Sequence, residues 1–414
     1  MYGTYVYNAA PWCSLGSNRC PFSCSTCTLH QSETTCATGA YVTKYQALAF
    51  GACGRRHQTC KEKKIFWNLF FGDARRAIQM LKFTESVFAD DLHACRNYDV
   101  KVPNRAILRA TTSCQERLHE WGRANAVEFE PSKESITILS RIDPYGENFK
   151  SLGVVFDPSL YMDDAISKIC DSASWKLRTV QRSTRFFSTI EMVNLYKSKV
   201  GSYIESKTAA IYHASTILLN RVDNIQVQFL RQIGLTELNA LCEFRLAPLN
   251  CRRDMAILGL IHRTVLGLGP NQFTNYFKLA SPTNHPDGRE SERRHNRQLT
   301  TMRTGKFLDI LANSALGVID VYNLLPQKIV DADSVTTFQK RLQLALVEDA
   351  KCERPGWRDM YSPRRQIFAH PLRDAMAKGV VNELLVTNGR SAKTVQTSTC
   401  VGGWLAFGAG DMNK

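Results

Sequence analysis

The sequence predicts an α+β fold in its first half, an antiparallel sheet backed by helices, followed by an all-helical region. Three observations predict it. Apolar residues recur at three- and four-residue steps over Phe66, Phe70, Ala74, Ala77, Ile78 and Leu81, the spacing of an amphipathic helix. Residues 83–95 then place apolar strand formers on both sides of Asp90-Asp91, the pattern of two short strands turning at the acidic pair. Beyond Pro158 the periodicity is helical, near residues 162–182, 189–215, 217–233 and 251–267.

The elements between these follow in order. Asn104 after Pro103 is placed to cap a helix running to about Trp121, with Leu108, Leu118 and Trp121 as candidate buried contacts. Ile136 and Ile138 alternate with polar neighbours in a strand, and residues 149–156 make another around Leu152-Gly153-Val154-Val155. The order helix, hairpin, helix, strand, strand suits helices packed behind a sheet. The expected organisation is a Cys-rich, unassigned segment at 1–60, the α+β unit at 61–158 and a helical region at 159–280. A basic, exposed linker follows at 281–305 (Arg289, Arg293, Arg294, Arg297), then a small helical unit at 306–350 and an unassigned tail at 351–414.

The totals narrow the function. No run of eighteen apolar residues appears, so no membrane span is expected, and residues 1–20 lack the basic and apolar regions of a secretory signal. An intracellular site, nucleus or cytoplasm, is the expectation. The net charge of +15 favours a polyanionic partner, nucleic acid ahead of a membrane surface; the alternative is a basic, soluble surface with no partner. Seven of the fourteen cysteines lie in the first sixty residues. Cys20-x3-Cys24-x2-Cys27-x2-His30-x5-Cys36 carries enough soft ligands for zinc, but the spacing fits no common finger or knuckle, so zinc is not expected there.

Adjacent aspartates at a hairpin tip suit divalent metal, because Mg²⁺ takes hard oxygen ligands, one or two carboxylates with substrate phosphates and water. An ordinary surface turn is the other reading of those four residues, Phe88-Ala89-Asp90-Asp91. Their surroundings decide between the two. Trp121, Asn125, Phe129 and Lys133 follow at four-residue steps; then come Phe149-Lys150-Ser151-Leu152-Gly153-Val154, Asp157 and Leu160. Residues 222–234, Val-Asp-Asn-Ile-Gln-Val-Gln-Phe-Leu-Arg-Gln-Ile-Gly, and Tyr322-Asn323-Leu324-Leu325-Pro326 with Phe338 complete the series. In order and spacing this succession, over residues 65–350, resembles the reverse transcriptases of non-LTR retrotransposons. Tyr322 stands where the family often has Trp.

The resemblance implies a partial polymerase palm followed by a helical thumb and connection. By it, Asp90 is a direct Mg²⁺ ligand and Asp91 a weaker or outer one. Lys133 becomes a candidate general acid for the leaving pyrophosphate, with a solvated surface lysine as the alternative. Leu152 and Gly153 become the primer grip, and an RNA template and a DNA primer the partners. The enzyme class implied is an RNA-directed DNA polymerase, a nucleotidyltransferase.

Two features complicate that implication. A palm needs a further aspartate on a separate strand to bridge two metals about 4 Å apart. The acidic residues before Asp90 are Glu33, Glu62, Asp73 and Glu85, and none sits in a suitable strand. The glycine-rich entry to the first helix is also missing, so the chain reads as a truncated or misassembled element that does not polymerise alone. Tyr161-Met162-Asp163-Asp164 imitates an aspartate box, but it opens an amphipathic helix and is read as first-turn residues. Lys176, Arg178, Arg182 and Arg185, near Trp175, Phe186 and Phe187, fit a nucleic-acid contact surface. They also fit a helix whose aromatics enter the core while its charges face water. No endonuclease or ribonuclease H constellation is visible.

Overall fold

The computed structural model describes residues 3–7, 11–12, 70–88, 91–99, 101–129, 134–280, 294–301, 312–364 and 370–372. It divides into two units, Met1–Leu160 and Tyr161–Lys414.

The first unit mixes helix and sheet. Its strands are β1 (Gly3–Tyr7), β2 (Pro11–Trp12), β3 (Thr84–Phe88), β4 (Asp91–Cys95), β5 (Asn97–Tyr98), β6 (Glu128–Phe129), β7 (Ile136–Leu139), β8 (Phe149–Ser151) and β9 (Val154–Phe156). All pair antiparallel: β5-β1-β7 form one small sheet, and β2-β6, β3-β4 and β8-β9 form two-stranded ladders. Among the described residues two helices accompany them, α1 (Gly72–Met80) and α2 (Asn104–Ala124). Phe71 just before the first, Ala74 and Ile78 within it, Leu92 and Ala94 from β4, and Cys114, Leu118 and Trp121 from the second close one core. Burying side chains of this size contributes roughly 1.5–3 kcal/mol each, which is what holds short strands on the helices.

Three expectations change here. Asn104 does not cap α2. Pro103 takes the cap position, and the Asn104 amide donates to Asp143 Oδ2 at 2.7 Å. Thr137 is as buried as Ile138, so β7 is covered on both faces rather than alternating inside and outside. Residues 149–156 are a hairpin, not one strand. Leu152 (φ 46°) and Gly153 (φ 78°) both adopt the left-handed conformation of a two-residue turn, so the chain reverses between Ser151 and Val154.

The second unit is helical among the described residues: α3 (Asp163–Gln181), α4 (Thr189–Tyr196), α5 (Ser202–Glu205), α6 (Thr208–Ile211), α7 (Thr216–Gln232), α8 (Glu237–Phe244), α9 (Leu249–Val265), α10 (Asn271–Thr274), α11 (Val318–Leu324), α12 (Gln327–Val330) and α13 (Val335–Lys351). The single helix expected over 189–215 is broken. A π-helical turn at Lys197–Gly201 joins α4 to α5, and a further break precedes α6. α3 packs along α7, and α9 lies between α11 and α13. Asp163 and Asp164 occupy the first turn of α3, where their charge meets the positive end of the helix dipole.

Residues expected as an exposed linker enter this core. Leu299 and His295 are buried, and Asn323 pins the segment by exchanging two 2.8 Å hydrogen bonds with the Leu299 backbone. Arg297 donates to the Val330 carbonyl at 2.8 Å, so a basic residue that looks solvent-bound in sequence ends a helix instead. Beyond Lys351 the chain also packs: Trp357, Met360, Tyr361 and Leu372 belong to the same core. Among the described residues no helix is long and apolar enough to cross a membrane.

Candidate nucleic-acid interface

The β3–β4 hairpin is built by strict alternation. Glu85 pairs with Ala94 and Val87 with Leu92, which puts these four on one face, and Phe88 pairs with Asp91. Asp91 therefore starts β4. Asp90 and Lys133, the other expected catalytic residues, lie outside the described residues, as do the side chain of Asp91 and the cysteine cluster from Cys20 to Cys36.

Glu85 is the nearest described carboxylate on this hairpin, and it is already occupied. Arg75 donates to its Oε1 through Nη2 at 2.8 Å and Nε at 3.0 Å, and Gln79 donates to Oε2 at 3.0 Å. Burial acts to raise the Glu85 pKa, but the hydrogen bonds from Gln79 and Arg75 outweigh it and hold the carboxyl below its ordinary value. Asp73 is paired with Arg76 at 2.7 Å on the exposed side of α1. Besides its partner β3, β4 also contacts β1, whose sequence Gly-Thr-Tyr-Val-Tyr carries no carboxylate. Among the described residues no group of three or more His, Cys, Asp and Glu side chains is arranged to hold a metal ion.

Leu152 and Gly153 form the tip of the β8–β9 hairpin. Leu152 is 54 % exposed and strained at φ 46°, a conformation that favours Gly or Asn. The Ser151 hydroxyl and His93 Nε2 lie 3.5 Å apart, so this hairpin touches the middle of β4.

The four basic residues expected to contact nucleic acid sit on and just after α3. Ile166, Ile169, Ala173, Leu177 and Val180 are buried and fix the inner stripe of that helix. Trp175, Arg178 and Arg182, at steps of three and four, form the opposite stripe and are exposed. Trp175 is 63 % exposed; after the helix, Phe186 is 68 % and Phe187 45 % exposed. The aromatics thus do not enter the core. Arg185 rests over the Phe186 ring at 4.7 Å, and Lys176 lies 5.3 Å from the Tyr203 ring centroid. Arg178, Arg182 and Arg185 form no ion pair among the described residues.

Sequence reasoning did not find Tyr203, which is 27 residues from Lys176 and shares no local pattern with it. It also missed Arg75 and Gln79 as partners of Glu85. Their spacing on α1 (i, i+4) marks a shared face, but only the hairpin's register shows what that face meets. Compared with protein-family models, with curated proteins and with solved structures, the chain finds no match.

Proposed function

We propose that this chain is the palm-and-thumb portion of a reverse transcriptase of the non-LTR retrotransposon type, and that it binds nucleic acid without polymerising on its own. The observation that carries the binding half is the outer face of α3. There and just after the helix, three large aromatics are exposed near three arginines that form no ion pair among the described residues. An exposed aromatic cluster flanked by guanidinium groups suits stacked bases and a phosphate backbone. The fold-level half rests on the aspartate hairpin, the following helix and the Leu152-Gly153 turn standing in the family's order.

The residues divide the work accordingly. Arg178, Arg182 and Arg185 neutralise phosphates, Trp175 and Phe186 offer ring faces, and the Leu152-Gly153 turn presents a primer contact. Mg²⁺ would bring charge neutralisation to nucleotidyl transfer, but two described carboxylates of this region, Glu85 and Asp73, are paired with Arg75 and Arg76. Primer extension on an RNA template with Mg²⁺ tests the second half, run beside Asp90→Ala. No extension by either protein is the expected result. Extension by the unaltered chain that Asp90→Ala abolishes would show a working polymerase and overturn this reading.

A further inference from the structure

A groove of about 550 Å³ runs along the outer side of α2, on the first unit, lined chiefly by Arg105, Leu108, Arg109, Thr112, Ser113 and Tyr145. Arg105, Arg109 and Thr112 follow at steps of four and three, so they form one stripe, and all three are exposed. A four-residue step advances about 6 Å along a helix, which sets the two guanidinium stems a phosphate-to-phosphate step apart. Neither arginine forms an ion pair among the described residues, whereas Arg117, on the same helix but outside the groove, is paired with Glu120 at 2.9 Å.

The facing wall is a loop that the structure holds firmly. The Ser140 hydroxyl accepts from the backbone N–H groups of Ile142 (3.2 Å) and Asp143 (3.1 Å), and Asp143 is tied to α2 through Asn104. Tyr145 exchanges two backbone hydrogen bonds with Ile138, at 2.9 and 3.3 Å. Gly146 closes the loop at φ 96°, where an added Cβ would meet the Ile136 carbonyl at 2.6 Å. The Tyr145 ring, 49 % exposed, therefore stands on a held backbone at the groove's edge. Glu116 carries the opposite charge at the far end and limits how far a polyanion extends.

We infer that this groove holds a single strand of nucleic acid, with Arg105 and Arg109 on successive phosphates and Tyr145 against an unpaired base. The site belongs to the first unit and does not depend on the α3 face. A phosphodiester strand matches the charge and spacing of the stripe, and a single strand rather than a duplex leaves a base free to meet the ring.

The test is fluorescence anisotropy of a labelled oligouridine with the full chain, titrated at several salt concentrations. Replacing both arginines (Arg105→Ala with Arg109→Ala) is expected to weaken binding at least tenfold and to flatten the log-affinity against log-salt slope by about 1.4, two contacts at ~0.7 each. Tyr145→Ala is expected to weaken binding and leave the slope unchanged. Arg117→Ala with Arg123→Ala removes the same charge from elsewhere on α2 and is expected to leave both quantities within twofold. All of these side chains but Tyr145 are solvated on a helix, where Ala is favourable, so a thermal melt of each arginine variant matching the parent is expected. An unchanged slope in the Arg105/Arg109 variant overturns the inference and leaves the α3 reading standing. Equal losses in the Arg117/Arg123 variant overturn it as well, because bulk charge then accounts for the effect. A duplex of the same length that binds as tightly and responds equally to the Arg105/Arg109 change also overturns it.

Discussion

Asp254 lies wholly inside the helical unit, its Oδ1 accepting from the Tyr212 hydroxyl at 2.7 Å, next to Arg253, which is paired in a bidentate contact with Asp223. Burial pushes the Asp254 carboxyl up to about 7, against the opposing pull of Tyr212, Arg253 and Arg364. A pKa raised on folding means the native state holds a proton that the unfolded chain has released. Stability from this group is thus complete below pH ~3.8 and is lost as pH rises through about 7. Asp254→Asn keeps the acceptor for Tyr212 and removes the titration. The variant is expected to gain on the parent between pH 4 and 7, by on the order of 4 kcal/mol at most, read from urea unfolding at each pH. A constant difference across that range would rule the assignment out. Leu152 offers a second residue-scale test. Leu152→Gly relieves the left-handed strain and is expected to stabilise the chain by about 1 kcal/mol, while weakening primer–template binding if the turn is a contact.

Among the elements, the turn at Trp357–Asp359 and the residues after it form a strap across the helical core. The Tyr361 hydroxyl donates to the Leu342 carbonyl at 2.7 Å, Asn250 donates to the Arg358 carbonyl at 2.8 Å, and Arg364 donates to the Tyr212 carbonyl at 2.7 Å. Tyr361→Ala leaves a buried hole and removes the hydroxyl's bond to the Leu342 carbonyl, so a loss of about 3–5 kcal/mol is expected in the second unit's unfolding transition. A loss below 1 kcal/mol would mean the strap is not part of the core. Helices were legible in sequence wherever an apolar stripe ran three or more turns, as in α2, α3, α7 and α9. The strap was not, because its anchors are single residues, two of them bonded across more than 100 positions, as Asn250 is to Arg358 and Arg364 to Tyr212. The same physics hid the role of Tyr322. Its hydroxyl donates to Nδ1 of His262, whose Nε2–H donates to the Ala332 carbonyl, and burial pushes that imidazole down to about 4, so it stays neutral. Nothing in the local pattern around Tyr322 points to His262.

Over the whole molecule, the α-and-β character of the first unit and the helical character of the second follow from periodicity, and the family resemblance follows from motif order. The candidate interface was only half legible. Spacing placed Lys176, Arg178, Arg182 and Arg185 near one another, but whether Trp175, Phe186 and Phe187 faced core or water depended on which stripe of α3 packs along α7. The groove on α2 was invisible, since its second wall comes from a loop about 40 residues further on. On the reading proposed above, α3 and the residues just after it bind nucleic acid through charge and stacking together. The most direct measurement is the affinity of the full chain for a labelled RNA–DNA primer–template at rising salt, compared with a variant carrying Arg178→Ala, Arg182→Ala and Arg185→Ala and with Trp175→Ala. The expected result is a steep salt dependence in the parent, a slope lower by about 2–3 in the arginine variant, and a loss of about 1–3 kcal/mol with an unchanged slope for Trp175→Ala. Binding that is insensitive to salt, or equally strong in all three proteins, would contradict it.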